Sequence, residues 1–265
     1  MVITSRSNPA VVAAAALKEK KYRDASSLFM LEGEKLFLEA VSSGIGISEV
    51  FVTEGKLSLC RGKVSDELIR VVSDGVIEKI STEKSPQGII CVAKYIDKIH
   101  IINKIYNMED FSDGRRIMIL SSIRDPGNLG TIIRTASAFG VDELILSSDC
   151  ADIYNPRTVR AAMGTLFRQR VSYVSDLPAT VTELNLAGYD TRAAMLDDGS
   201  ERLDCMRINR KTAFIVGNEG HGIAPEVVSS ASGRVYIPMV NGVESLNAAS
   251  AATVFLWSGM TRSED

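Results

Sequence analysis

The chain has 265 residues, of which 45% are hydrophobic and 24% charged, proportions that exclude a disordered or fibrous protein and allow one large domain or two modest ones. Thirty Lys and Arg against 33 Asp and Glu give a net charge of -3, so bulk positive charge cannot hold nucleic acid, although a local basic face stays open. The four cysteines, at 60, 91, 150 and 205, form no C-x-x-C pair, and with two histidines they suggest neither a zinc cage nor a disulfide framework. No metal is expected. The N-terminal segment lacks the basic-then-apolar order of a signal peptide, and no run approaches the roughly 18 apolar residues of a membrane span. A soluble cytoplasmic protein with reduced thiols and no membrane partner is expected.

Helix and strand signals alternate, which points to an α/β architecture. Asn8-Pro9 starts a helix, with a capping side chain followed by a residue whose missing N–H costs nothing there. That helix is Ala-rich and ends in the charged segment Lys18 to Asp24. Phe29 to Leu31 reads as a strand, Glu34 to Ser43 as a helix closed by Gly44, and Glu49 to Thr53 and Gly88 to Tyr95 as further strands. The pattern weakens between Asp97 and Gly114, where the domain junction is expected. A buried strand follows at Ile117 to Leu120, then a helix at Leu129 to Phe139 and a strand at Glu143 to Leu146, as in a βαβ unit. Ala213 to Val216 and Val235 to Ile237 are short strands, and an apolar helix, Leu246 to Met260, closes the chain.

Three loops after these strands carry most of the information, because ligands bind at the carboxyl edge of open α/β sheets. The first is Arg124-Asp125-Pro126-Gly127-Asn128-Leu129-Gly130, running into a helix that contains Arg134. Asn128 is suited to cap that helix, and Arg134, placed in its first two turns, reads either as a functional cation or as an arginine snorkelling from a helix rim. The second, Gly217-Asn218-Glu219-Gly220-His221-Gly222, fails both the dinucleotide and the P-loop spacing, so by itself it is as well explained by a plain turn. The third, Ile237-Pro238-Met239-Val240-Asn241-Gly242-Val243-Glu244-Ser245-Leu246-Asn247, sets polar groups at the start of an apolar helix. Ser245 capping that helix and anion binding at its N-terminus are both open readings.

Together the three loops resemble the signature motifs of the SpoU/TrmH family of SPOUT RNA 2'-O-methyltransferases: D-P-x-N-x-G…R, G-N-E-x-x-G and I-P-M…E-S-L-N. The first half is similar to the family's accessory substrate-binding domain through Ser5-Arg6-Ser7-Asn8-Pro9, Lys21-Tyr22-Arg23 and Phe29 to Lys35. The resemblance implies a C-terminal parallel-sheet SPOUT domain with a deep trefoil knot, over 115–265, joined by a linker at 108–114 to a smaller N-terminal α/β RNA-binding domain over 1–107. It further implies S-adenosyl-L-methionine held by Gly217, Ile237, Met239, Leu246 and Asn247, and methyl transfer to a ribose 2'-hydroxyl of ribosomal RNA. Arg134 would be the catalytic arginine, acting as base or as charge stabiliser, with Asn128 orienting it. Ser245 and Asn247 would contact phosphate, and Glu219 would be an active-site acceptor or a structural ion-pair partner. Asn241 stands where the family usually has Gly, with Gly242 one place later. A homodimer is implied, the closing helix being a candidate contact and equally an ordinary core helix.

Transfer RNA is the alternative substrate, and a non-catalytic ribosome-assembly factor the alternative function. A nucleotide-dependent oxidoreductase is disfavoured by the glycine spacing. Two basic clusters qualify the acidic average: Lys18, Lys20, Lys21 and Arg23 near the N-terminus, and Arg157, Arg160, Arg168 and Arg170 in the second half. One cluster in each domain would form a split RNA surface.

Overall fold

The computed structural model describes residues 2–102, 114–218, 220–240 and 245–262. The chain divides into two compact units, Met1–Asp97 with Asp152–Arg168, and Lys98–Ala151 with Gln169–Asp265. Most of the weakly patterned stretch between the halves, 103–113, lies outside the described residues.

In the first unit Asn8 Oδ1 accepts the Ala10 N–H and Pro9 opens α1 (Pro9–Ala16), as the sequence implies. There follow α2 (Lys20–Ser26), β1 (Leu28–Glu32), α3 (Glu34–Ser42), β2 (Ile47–Val52), β3 (Ile69–Val71), α4 (Asp74–Ile80) and β4 (Ile89–Lys94). The strand order is β1-β4-β2-β3, antiparallel except for the β2-β3 pair. Val11, Ala14 and Leu17 pack with Val76, Ile77 and Ile80 of α4 over Phe51, Ile90 and Val92 of the sheet.

The second unit begins with β5 (Ile99–Ile102), a strand missed in the weak stretch, then β6 (Ile117–Leu120), α5 (Pro126–Ala138) and β7 (Glu143–Ser147). The connection that follows, with α6 (Pro156–Ala162), is compacted with the first unit. The chain then continues through β8 (Arg170–Val174), α7 (Leu177–Leu186), β9 (Asp190–Ala194), β10 (Glu201–Arg202) and β11 (Thr212–Val216). It ends with α8 (Pro225–Ser230), β12 (Gly233–Tyr236) and α9 (Ala248–Arg262). The eight strands are ordered β10-β12-β9-β11-β6-β7-β8-β5, every pair parallel. Ile-Met-Ile-Leu in β6 and Thr-Ala-Phe-Ile-Val in β11 are buried throughout, as strands covered on both faces must be.

Two of the strands that escaped sequence reading, β8 and β9, have polar residues at buried positions. Ser172 in β8 donates to Glu143 Oε1 at 2.6 Å, and Thr191 in β9 donates to Asn185 Oδ1 at 2.6 Å. Paired in this way, they cost little to bury, but they erase the apolar run. Two boundaries also shift. The first-motif helix starts at Pro126 rather than Leu129, because Asp125 Oδ1 accepts the Asn128 N–H at 2.8 Å and Pro126 occupies the first turn. Asp125, not Asn128, is therefore the cap, and Arg134 lies in the third turn. At the closing helix Asn247, not Ser245, is the capping side chain, its Oδ1 accepting from the N–H groups of Ala249 and Ser250 at 2.9 and 3.3 Å.

The 152–168 segment is fastened within the first unit by buried charge. Arg23 is 2% exposed. Its Nε and Nη2 reach Asp152 Oδ2 at 3.2 and 2.5 Å, and Nη1 donates to the carbonyls of Leu17 and Lys18 at 2.8 Å each. Beside it the rings of Tyr95 and Tyr154 stack at 3.8 Å, and the Ile96 N–H donates to the Tyr154 hydroxyl. Removing one partner of a buried pair strands the other charge. Arg23→Ala is expected to lower stability by about 3 kcal/mol, read as a loss of thermal unfolding temperature, whereas Lys20→Ala, whose ion pair with Asp24 is exposed, should change it little.

Candidate functional site

Within the second unit the carboxyl ends of β9, β11 and β12 open onto a cavity of about 200 Å³. Its lining comes from Ala194 to Leu196 after β9, Val216 to Asn218 after β11, Tyr236 and Ile237 after β12, and the start of α9 with Phe255. Among these lining residues no side chain is charged. The chemistry offered is therefore apolar surface, backbone N–H and C=O groups, and the neutral polar side chains of Asn218, Tyr236 and Ser245.

The glycine loop owes its shape to a close approach. Asn218 and Gly222 exchange backbone hydrogen bonds at 3.0 and 2.9 Å, folding the loop over Gly217. A Cβ on Gly217 would lie 2.5 Å from the Gly222 carbonyl oxygen, so no side chain fits there. Gly222 has φ +67°, a conformation that favours glycine. The Asn218 side chain holds the rest: Oδ1 accepts from Gly220 and His221 N–H at 2.8 and 3.3 Å, and Nδ2 donates to the Ser122 carbonyl at 3.1 Å.

Four of the five expected cofactor residues, Gly217, Ile237, Met239 and Leu246, line the cavity together, and Ser245 joins them. Asn247 lies beside the lining rather than in it. Besides capping α9, its Nδ2 donates to Asn128 Oδ1 at 3.1 Å, tying the third motif to the first. Asn128 thus meets Asn247 and not Arg134. Six residues along a 3.6-residue helix set two side chains about 120° apart. Arg134 points to solvent from α5, makes no hydrogen bond or ion pair among the described residues, and is not part of the cavity lining. Glu219, Asn241, Gly242 and Glu244 lie outside the described residues. Sequence reading missed Ala194 to Leu196 and Phe255, which carry no motif, and the holding role of Asn218.

The basic clusters are not split as expected. Arg157, Arg160 and Arg168 belong to the same compact unit as Lys18, Lys20 and Lys21, and of the second cluster only Arg170 belongs to the other unit. Arg23 is buried and turned inward. Arg160 pairs with Glu83, Arg168 with Glu39 at 3.1 Å, Lys20 with Asp24 and Lys21 with Glu19. Lys18 donates to the Lys79 carbonyl, and Arg157 and Arg170 are exposed.

An uncharged, largely apolar cavity at the carboxyl ends of parallel strands places the protein in the open-sheet α/β class, whose ligands bind at that edge. Residues 115–257 match the SpoU rRNA Methylase family and residues 8–91 the MRM3-like substrate binding domain. The chain belongs to the SpoU rRNA methylase family and is a methyltransferase. It is 29% identical over 246 residues to the 23S rRNA (guanosine(2553)-2'-O)-methyltransferase RlmP of Bacillus subtilis, covering 91% of this chain and 92% of that one. The AdoMet-bound rRNA methyltransferase from Sinorhizobium meliloti is similar at a TM-score of 0.81 and 28% identity, covering 98% of this chain and 97% of that one. The crystal structure of an RNA 2'-O ribose methyltransferase is similar at 0.83 and 25%, covering 99% of each. The α/β fold is that of the SPOUT methyltransferases.

Asn247 separates capping from bridging. Asn247→Ala is expected to cost about 1 kcal/mol in thermal unfolding. Asn247→Asp keeps an acceptor for Ala249 and Ser250 but no donor for Asn128, so it should recover most of that loss.

Proposed function

We propose that the chain is an S-adenosyl-L-methionine-dependent methyltransferase acting on a ribose 2'-hydroxyl of RNA, most simply of 23S ribosomal RNA. The observation that carries this reading is that the second and third motif loops line one uncharged cavity, with the first motif tied to the third through Asn128 and Asn247. Met239, Leu246 and Phe255 offer the apolar surface an adenine needs, and the loop backbone at Gly217 and Asn218 offers hydrogen-bonding groups at close range. When bound, the cofactor supplies an electrophilic methyl group on a sulfonium. The RlmP likeness over nearly the full chain favours ribosomal RNA over transfer RNA as substrate.

Arg134 is assigned to the reacting oxygen. In exchanging its proton for a methyl group released from sulfur, the ribose hydroxyl would give that proton to the adjacent RNA phosphate or to water, and a guanidinium, charged at any ordinary pH, serves better as a stabiliser of the developing oxyanion than as a base. The fork of N–H donors also suits the neighbouring phosphate. Arg134 is not part of the cavity lining of its own chain, which supports a homodimer in which it reaches the cavity of a second copy. The exposed Val254, Trp257 and Met260 of α9 suit that contact. The link between Asn128 and Asn247 then orders the carboxyl edge, with Ser245 and Asn247 near the phosphate and Glu219 as acceptor. The C-terminal part of the second unit is assigned to the trefoil knot of the fold.

Arg134→Ala should abolish label transfer from methyl-tritiated cofactor to unmodified ribosomal RNA while leaving cofactor affinity by calorimetry within about threefold. Arg134→Lys should keep measurable activity if the side chain stabilises charge, and none if it acts as base. Absence of label in every ribosomal and transfer RNA, with cofactor still bound, would favour the assembly-factor reading.

The RNA surface is assigned to Lys18, Lys20, Lys21, Arg157, Arg160 and Arg168 on the first unit, with Arg170 on the second. The partners of Lys18, Lys20, Lys21, Arg160 and Arg168 are a carbonyl or exposed to half-exposed carboxylates, weak enough to be exchanged for phosphate. Replacing Lys20, Lys21 and Arg157 by Gln should weaken RNA binding and reduce its log–log salt slope by about 0.7 for each lost contact with single-stranded RNA. Cofactor affinity should not change.

A further inference from the structure

Ser122, at the end of β6, has φ +57°, a left-handed conformation uncommon for any residue with a Cβ. It stands at the junction of two motif loops. Its carbonyl accepts the Asn218 side chain at 3.1 Å, and Arg124, Asp125 and Pro126 follow it into α5. The orientation of that carbonyl depends on the Ser122 backbone, and Asn218 in turn sets the Gly217–Gly222 loop through Gly220 and His221.

A closed ring of hydrogen bonds holds Ser122 in this conformation. Its N–H donates to Ser147 Oγ at 2.8 Å, and Ser147 Oγ donates to Asp149 Oδ1 at 2.6 Å. Ser122 Oγ donates to Asp149 Oδ2 at 2.7 Å, which also receives Arg124 Nη2 at 3.2 Å. Partial burial pushes the Asp149 carboxyl upward, but the bonds from Ser147, Ser122 and Arg124 outweigh it and hold the pKa below the ordinary carboxylate value. The ion pair with Arg124 is half-exposed and contributes little; the two hydroxyls clamp the turn. Asp149 is not part of the cavity lining, and the established family assignment gives it no task.

We infer that Asp149 is a positioning residue for the cofactor site, clamping the left-handed turn at Ser122 so that its carbonyl anchors Asn218 and the glycine loop. This rests on the reading of the cavity as the S-adenosyl-L-methionine site. Its signature is that glycine, which adopts positive φ without strain, makes the clamp dispensable.

The test uses the full chain and two readouts: S-adenosyl-L-methionine affinity by calorimetry, and amide hydrogen exchange at Gly220 and His221 in the ligand-free protein. Asp149→Ala is expected to weaken binding about tenfold and to speed exchange at both amides by a similar factor. Adding Ser122→Gly to Asp149→Ala should restore both to within about threefold of the wild type. Asp149→Asn, which retains one acceptor oxygen, gives an intermediate loss and serves if the alanine variant does not fold. Unchanged affinity and exchange in the Asp149 variants, or a loss that Ser122→Gly does not rescue, overturns the inference. If the wild type does not bind the cofactor, the reading of the cavity fails instead, and exchange with its rescue still decides the role of Asp149.

Discussion

At the carboxyl edge of a parallel sheet each strand runs out into a loop whose backbone groups have no neighbouring strand, and something else must satisfy them. Here one amide side chain does much of that. Asn218 takes the N–H groups of Gly220 and His221, gives its own to Ser122, and through its backbone pairs twice with Gly222. Because Gly217 is folded against Gly222 with no room for a methyl group, the cavity wall at this point is bare backbone. A ligand entering there meets peptide groups at short range, which explains how an uncharged lining can still be selective.

A second set of links runs between loops distant in sequence. Asn247 caps α9 with its oxygen and holds Asn128 with its nitrogen, so that one amide joins the last helix to the first motif. Ser122 and Asp149 connect the ends of β6 and β7 to the glycine loop. The edge is thus a web of hydrogen bonds, neutral except where the carboxylates of Asp125 and Asp149 accept, in which several groups must be in place at once.

Charge is distributed by a different rule. Arg23, which reads in the sequence as one cation of a basic run, is withdrawn into the interior of its unit and consumed by Asp152 and two carbonyls. Its neighbours Lys20 and Lys21 stay outside with exposed partners. The same run therefore serves packing at one position and solvent at the others. The acidic total of the chain conceals a unit on which most of the named basic residues sit together.

How much was legible in the sequence follows from where the information lies. The apolar runs of β6 and β11, the Asn8-Pro9 helix start and the glycine loop are local signals, determined by burial on both faces, by capping chemistry and by the need for a side-chain-free turn. The motif residues Gly217, Ile237, Met239 and Leu246 could be named in advance because each lies in a contiguous signature. The start of α5 was open to the same reading, since Asp125-Pro126 repeats the cap-then-proline signal of Asn8-Pro9, although the expected start was Leu129 with Asn128 as cap. What only the tertiary structure decided depends on partners far along the chain. Ser172 and Thr191 can be buried in strands because Glu143 and Asn185 pair with their hydroxyls. Asn128 turns to Asn247 because helix geometry points it away from Arg134, and residues 152–168 join the first unit because Asp152 meets Arg23. Local sequence sets propensity and turn chemistry, but a polar side chain acquires its role only when folding supplies the group it bonds.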